Sequence, residues 1–166
     1  MNDFQFFLMV GFLLAIVCVI GCIFYGVLAK TKSQPNRRDE KVDGQKKKIL
    51  VVDDDKGLLK MIRVSLVNCG FHVLTAATGE KGLQLAQTKS PDLVVLDVLL
   101  PGIKGREVCV RLKQDRKTSH IPIMFLTAKD SPDDVRAEME AGAITHLTKP
   151  VDPKELILEI KRILNL

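Results

Sequence analysis

The sequence predicts an α/β fold, a doubly wound parallel sheet preceded by one transmembrane helix and a flexible linker. Three observations predict it. Short, continuously apolar runs alternate with stretches of helical period from residue 49 onward. Strands apolar on both faces belong to parallel sheets covered on both sides, because a half-exposed antiparallel strand would alternate. The third observation is an uncharged stretch over residues 4–29.

Taken in order, residues 49–52 are all aliphatic and read as the first strand. Leu58, Leu59, Ile62, Leu66 and Val67 then recur at helical spacing until Gly70 stops the helix. Residues 72–76 read as the second strand. Thr78 caps the next helix, which carries Leu83, Leu85 and Ala86 and is weakened by Gly79 and Gly82. Pro91 introduces a third strand over 93–96. A helix follows Gly105 with Val108, Val110 and Leu112, and residues 123–126 form the fourth strand. Pro132 opens a helix ending near Gly142. A short strand over 145–148 precedes Pro153, which starts the last helix through Leu156, Ile157, Ile160, Ile163 and Leu164.

Residues 4–29 would make about 39 Å of helix at about 1.5 Å per residue, enough to cross a bilayer core with some tilt. A cleaved signal peptide fits poorly, since only Asp3 carries a side-chain charge before the run, where a basic segment belongs. A lipoprotein box over 19–22 is the other reading, but residues 23–29 stay apolar after Cys22. The flank that follows is basic, which predicts a single pass through the inner (cytoplasmic) membrane, N-terminus outside and C-terminal domain in the cytoplasm.

Charge divides the same way. Residues 30–48 hold eight basic and three acidic side chains, whereas from Ile49 on 17 basic face 16 acidic. Residues 30–48 therefore read as a basic flexible linker whose partner is anionic membrane lipid. The domain over 49–166 is nearly neutral, so no nucleic-acid partner is expected. Cys18 and Cys22 lie in the apolar run, while Cys69 and Cys109 are isolated with no CxxC spacing, which predicts buried, reduced thiols and not a zinc site or disulfide framework.

Parallel α/β sheets bind ligands beyond the carboxyl ends of their strands. Asp53 and Asp54 follow the first strand, Asp97 the third, Thr127 the fourth and Lys149 the fifth. Each alone is an ordinary turn residue or helix cap, and Asp55 reads as a cap. Together they form an acidic pocket with one ammonium.

These residues carry a family resemblance. The run 51–54 (Val-Val-Asp-Asp), Asp97 with Pro101 and Gly105 after it, Leu126-Thr127-Ala128 and Lys149-Pro150 resemble the signature of bacterial response-regulator receiver domains, CheY-like, over 49–166. The resemblance implies a (βα)5 sheet of order 2-1-3-4-5 and Mg²⁺-dependent transfer of a phosphoryl group to Asp97. It implies Mg²⁺ held by Asp54, Asp97 and the backbone carbonyl of Leu99, with Asp53 acting mostly through water. Lys149 and Thr127 would neutralise and bind the phosphoryl oxygens, and the Lys149–Pro150 peptide would be cis. Beside the resemblance stands a physical reason: converging carboxylates repel one another and need a cation, and oxygen ligands favour Mg²⁺.

The resemblance also implies partners: a histidine kinase or phosphotransfer protein as donor, and a downstream protein, or a second copy as a homodimer, on the face of the fourth helix, fifth strand and fifth helix. The domain is expected to be a phosphoacceptor that assists its own phosphorylation and dephosphorylation, not an enzyme. With no output module after the fifth helix, output is expected through binding. The alternative is a receiver-like interaction scaffold that signals without phosphate. His146 departs from the family, which has Tyr or Phe three residues before the lysine and uses it with Thr127 as a switch; it reads either as a planar substitute or as a pH-sensitive group. Leu99, apolar and two residues after Asp97, cannot orient an attacking water and predicts a long-lived phosphoform.

Overall fold

The computed structural model describes residues 46–128 and 131–166. Among them strands and helices alternate in the order β1 (Lys48–Val52), α1 (Lys56–Asn68), β2 (His72–Ala76), α2 (Gly79–Lys89), β3 (Leu93–Asp97), α3 (Gly105–Gln114), β4 (Ile123–Thr127), α4 (Pro132–Glu140), β5 (Thr145–Thr148) and α5 (Pro153–Ile163). The strands pair in parallel in the order β2-β1-β3-β4-β5. This is the doubly wound sheet the alternation predicts.

Side chains of alternate residues leave a strand on opposite faces, and both faces are apolar. Ile49, Val51, Leu93, Val95, Met124 and Leu126 pack under Leu59, Ile62 and Leu66 of α1 and Leu156 and Ile160 of α5. Leu50, Val52, Val94, Leu96, Ile123 and Phe125 pack under Ala86 of α2 and Val108, Cys109 and Leu112 of α3. Each full burial of such a side chain contributes roughly 1.5–3 kcal/mol, which is why the central strands hold the sheet.

Helix starts follow local chemistry. Asp55 caps α1, its carboxylate accepting from Gly57 N at 2.7 Å and Leu58 N at 3.1 Å. Thr78 accepts from Lys81 N at 3.2 Å at the start of α2, and α4 and α5 each open on a proline in the first turn, capped by Ser131 and Asp152. Gly82 is in α2 for contact rather than conformation: a Cβ there would lie 2.9 Å from Val52 of β1. The glycines that weaken α2 as an isolated helix let it sit close to the sheet.

The helices bury fewer of their apolar residues than their sequences offer, and one cysteine expectation is corrected. Val67 is 50% exposed, because Leu59, Ile62 and Leu66 set the inward seam of α1 and the residue after Leu66 turns about 100° away from it. In α3 the inward residue is Cys109, while Val110 is 37% exposed. Of the two described cysteines only Cys109 is buried; Cys69, the residue capping the end of α1, is exposed.

β1 begins at Lys48, inside the segment read as linker, because Lys48 N donates to Asp92 Oδ2 at 2.7 Å and Lys48 Nζ to Lys89 O at 2.7 Å. Lys47 pairs with Asp92 at 3.0 Å. The proposed transmembrane helix over 4–29 and the linker up to residue 45 lie outside the described residues. Among those described, no helix is long and apolar enough to cross a membrane.

Candidate functional site

The site is built where β1 and β3 end side by side, Val52 opposite Leu96 in register. The next residue on each strand is an aspartate pointing to the α1/α5 face, and both are buried: Asp53 fully and Asp97 to within 3%. Asp54, one residue on, is exposed. Each of the three offers a carboxylate oxygen, and these lie within 4.8 Å of one another.

Lys149 reaches this cluster from the end of β5, after a cis peptide to Pro150. Its N–H donates to Thr127 O at 2.7 Å, which ties the end of β5 to the end of β4. Its ammonium donates to Asp53 Oδ2 at 2.6 Å and Asp97 Oδ2 at 2.7 Å. The other oxygen of each acid is held by backbone: Asp55 N donates to Asp53 Oδ1 at 2.9 Å, and Leu99 N to Asp97 Oδ1 at 3.0 Å. Both acids are thus fixed at each oxygen, and Asp54 is left facing solvent.

Burial works against the charged forms. It pushes the Asp53 carboxyl above 3.8 despite the lysine, with the Asp97 charge adding to the rise. For Lys149 burial pulls downward, but the two acids outweigh it and the ammonium is held above 10.5. Three carboxylates against one ammonium leave two negative charges, the amount a single divalent cation cancels. An all-oxygen donor set of this kind suits a hard cation such as Mg²⁺.

Gly105 explains how a helix can start against this site. A Cβ on it would lie 1.9 Å from the carbonyl oxygen of Asp97, so α3 packs its first residue directly on the backbone of the acid. The spacing of eight residues between Asp97 and Gly105 is the chain length of that turn, closed by Gly105 N donating to Val98 O at 3.1 Å.

Thr127 and His146 sit differently. Thr127 shares the strand face of Ile123 and Phe125, under α3 and α4, and is 2% exposed. His146 is opposite Phe125 in register and half-buried on that same face. Between them lies a residue the sequence reading passed over. Glu138 is the buried residue of α4, 0% exposed, facing the Thr127 hydroxyl and the His146 imidazole. A charged residue three positions after Val135, on the inward side of a helix, was the signal for it.

A family model for the response regulator receiver domain matches residues 49–161. The chain belongs to this family. Receiver domains are phosphoacceptor signalling domains, not enzymes in the usual sense. Relatives include the alkaline phosphatase synthesis transcriptional regulatory protein PhoP of Bacillus subtilis, 44% identical over 118 residues, which span 71% of this chain and 48% of the relative. The transcriptional regulatory protein AfsQ1 of Streptomyces coelicolor is 42% identical over 70% of this chain and 50% of its own. The chain therefore spans about half the length of the curated relatives it matches, and the shared half is the receiver domain. Among solved structures, chemotaxis protein CheY4 of Vibrio cholerae superposes with a TM-score of 0.69 at 30% identity, covering 71% of this chain and 98% of that one.

Proposed function

We propose that this chain is a membrane-anchored receiver domain whose phosphoacceptor is Asp97, with output through protein–protein contact. The observation that carries the reading is the shared grip of Lys149 on Asp53 and Asp97 beside the open carboxylate of Asp54. In this reading Asp54, Asp97 and the Leu99 carbonyl would hold Mg²⁺, with Asp53 assisting. The cation would supply charge neutralisation for a loose phosphoryl-transfer transition state.

The residues of the chain do the rest. An Asp97 carboxylate oxygen forms the new P–O bond as the P–N bond of a phosphohistidine breaks, and the leaving imidazole keeps or takes up its proton. Leu99 N–H and the Lys149 ammonium hold the carboxylate in one orientation, so that little reorganisation remains when the donor arrives. Lys149 also faces the charge that the phosphoryl group adds. Thr127 donates its hydroxyl to a phosphoryl oxygen once it turns from the α4 side toward Asp97. Downstream, the face of α4, β5 and α5 is the surface offered to a target protein or a second copy.

Membrane attachment rests on the uncharged residues 4–29 and the basic residues after them. Anchoring beside a membrane kinase raises the local encounter rate. Lys47 and Lys48 contribute less to lipid contact than the other linker lysines, being engaged with Asp92 and Lys89. The names of the curated relatives describe transcriptional regulators; this chain matches their receiver half, and no DNA contact is proposed from that half.

The test takes the full chain with Mg²⁺ and acetyl phosphate or a phosphorylated kinase. Incorporation of phosphate should vanish in Asp97→Asn and on chelation of the metal. Label retained in Asp97→Asn at the wild-type level would end the reading. Membrane-fraction recovery with a cytoplasm-active reporter fused at the C-terminus tests the anchor and its orientation.

A further inference from the structure

Glu138 is out of place by ordinary energetics. Its side chain is 0% exposed, and neither carboxylate oxygen completes a hydrogen bond of ordinary length and angle. An apolar residue of the same size would cost nothing there, whereas a buried and unsatisfied carboxylate costs free energy at neutral pH. The groups that face it come from every element around it: Thr127 from β4, His146 from β5, Arg106 from α3, and Asp134 one turn earlier on α4. Arg106 gives its Nη2 to Asp134 Oδ1 at 2.7 Å, while its buried Nε completes no hydrogen bond. The Arg106 guanidinium and the His146 ring face Glu138 as charges, and the Thr127 hydroxyl faces it as a hydrogen-bond donor. Strand parity puts both the hydroxyl and the ring on the face that α4 covers, Thr127 two residues beyond Phe125 and His146 opposite Phe125.

We propose that Glu138 is a positioning residue for Thr127: an internal acceptor that draws the threonine hydroxyl toward α4, in competition with the phosphoryl oxygens of a modified Asp97. His146 then takes over the carboxylate when the hydroxyl leaves. The proposal rests on the reading of Asp97 as phosphoacceptor and Thr127 as its hydroxyl donor, and deepens it. Phosphorylation at the end of β3 is thereby coupled, through Thr127 at the end of β4, to a polar contact beneath α4. Lowering the pH favours release of Thr127, because a protonated Glu138 is the poorer acceptor and burial already raises that carboxyl.

The experiment titrates the full chain with beryllium fluoride at saturating Mg²⁺, reading bound fluoride by ¹⁹F NMR. It compares wild type, Glu138→Met and Glu138→Gln at about pH 8 and about pH 6, acidification moving toward the raised Glu138 carboxyl. Glu138→Met, apolar and of similar length, should bind about fivefold tighter than wild type at the higher pH, the worth of one hydrogen bond. That advantage should narrow to about twofold at the lower pH as Glu138 takes up its proton and releases Thr127. Glu138→Gln keeps an acceptor without the charge; it should lie between the two and show less of the wild-type gain on acidification. Equal affinities with parallel pH profiles in all three proteins would overturn the proposal while leaving Asp97 as acceptor. Wild-type binding unaffected by Asp97→Asn would overturn the site reading and the proposal with it. If thermal unfolding shows Glu138→Met to be unfolded, the pH profile of Glu138→Gln against wild type decides alone.

Discussion

β3 and β5 are neighbours-but-one in the same sheet, yet they are packed to different depths. All five residues of β3 are buried; none of the four of β5 is. β3 lies between β1 and β4 and has helices over both faces, while β5 is an edge strand, and the one buried residue of α4 is the unsatisfied Glu138. The difference maps onto chemistry. Asp53 and Asp97 extend from the densely packed β1 and β3, which hold both carboxylates still. His146 on β5 and Lys149 just past its end lie beside the thin layer, whereas Thr127 ends β4, which is buried throughout. Elements with few buried apolar contacts open at lower cost than the core around them. In the proposed reading, a fixed acceptor lies beside a more loosely packed edge strand.

The largest effect that sharpens this contrast is expected at Gly105, on the packed side. Gly105→Ala places a methyl group 1.9 Å from the Asp97 carbonyl oxygen. It should destabilise the domain by about 3 kcal/mol or more, or prevent folding, as read by urea denaturation. An unchanged midpoint would mean that α3 does not seat on Asp97 as described. Next, native-state hydrogen exchange should separate the two strands. Amides of β3 should exchange only through global unfolding, and those of β5 through local openings about 2 kcal/mol cheaper. Equal protection would erase the distinction between rigid and responsive halves.

A smaller effect tests the thin side directly. Burial raises the Glu138 carboxyl above 4.5, the neighbouring His146 and Thr127 pulling the other way without cancelling it. A raised folded value means that the native state holds this proton where the unfolded chain has lost it. The cost of Glu138 is therefore absent below about pH 4.5 and grows as pH rises through the folded value. Glu138→Met should be more stable than wild type by about 1–3 kcal/mol above neutrality, with the gap closing on acidification. A gap independent of pH would point to packing alone. The smallest effect is expected at Asp55, the third of three consecutive aspartates. Asp55→Ala should cost about 1 kcal/mol as a lost helix cap and leave Mg²⁺ affinity nearly unchanged, whereas Asp54→Ala should do the reverse, by calorimetric titration with Mg²⁺ and thermal unfolding.

Much of the molecule was legible before any coordinates. Proline and glycine marked the ends of elements, and the apolar runs marked strands of a covered sheet. The acids were recognisable because they stand one residue past those runs, where a parallel sheet opens to ligands. Val67 and Val110 stay outside the seams because one helical turn carries more apolar residues than its seam needs. Which of two adjacent ones faces the sheet depends on a strand distant in sequence. Glu138 was missed for the converse reason: on its own helix it is one acid among several.

By itself, the sequence determined the alternation of elements, the uncharged stretch at the N-terminus and the order in which the acids, threonine and lysine occur, since all of these are written in local periodicity and spacing. Only the tertiary structure decided that Asp53 and Asp97 share one ammonium while Thr127 turns to the opposite face of the sheet. It alone decided that a glutamate is shut beneath α4 beside Thr127 and His146. A strand apolar on both sides carries no mark of which face is which, so the assignment comes from the helices that cover it.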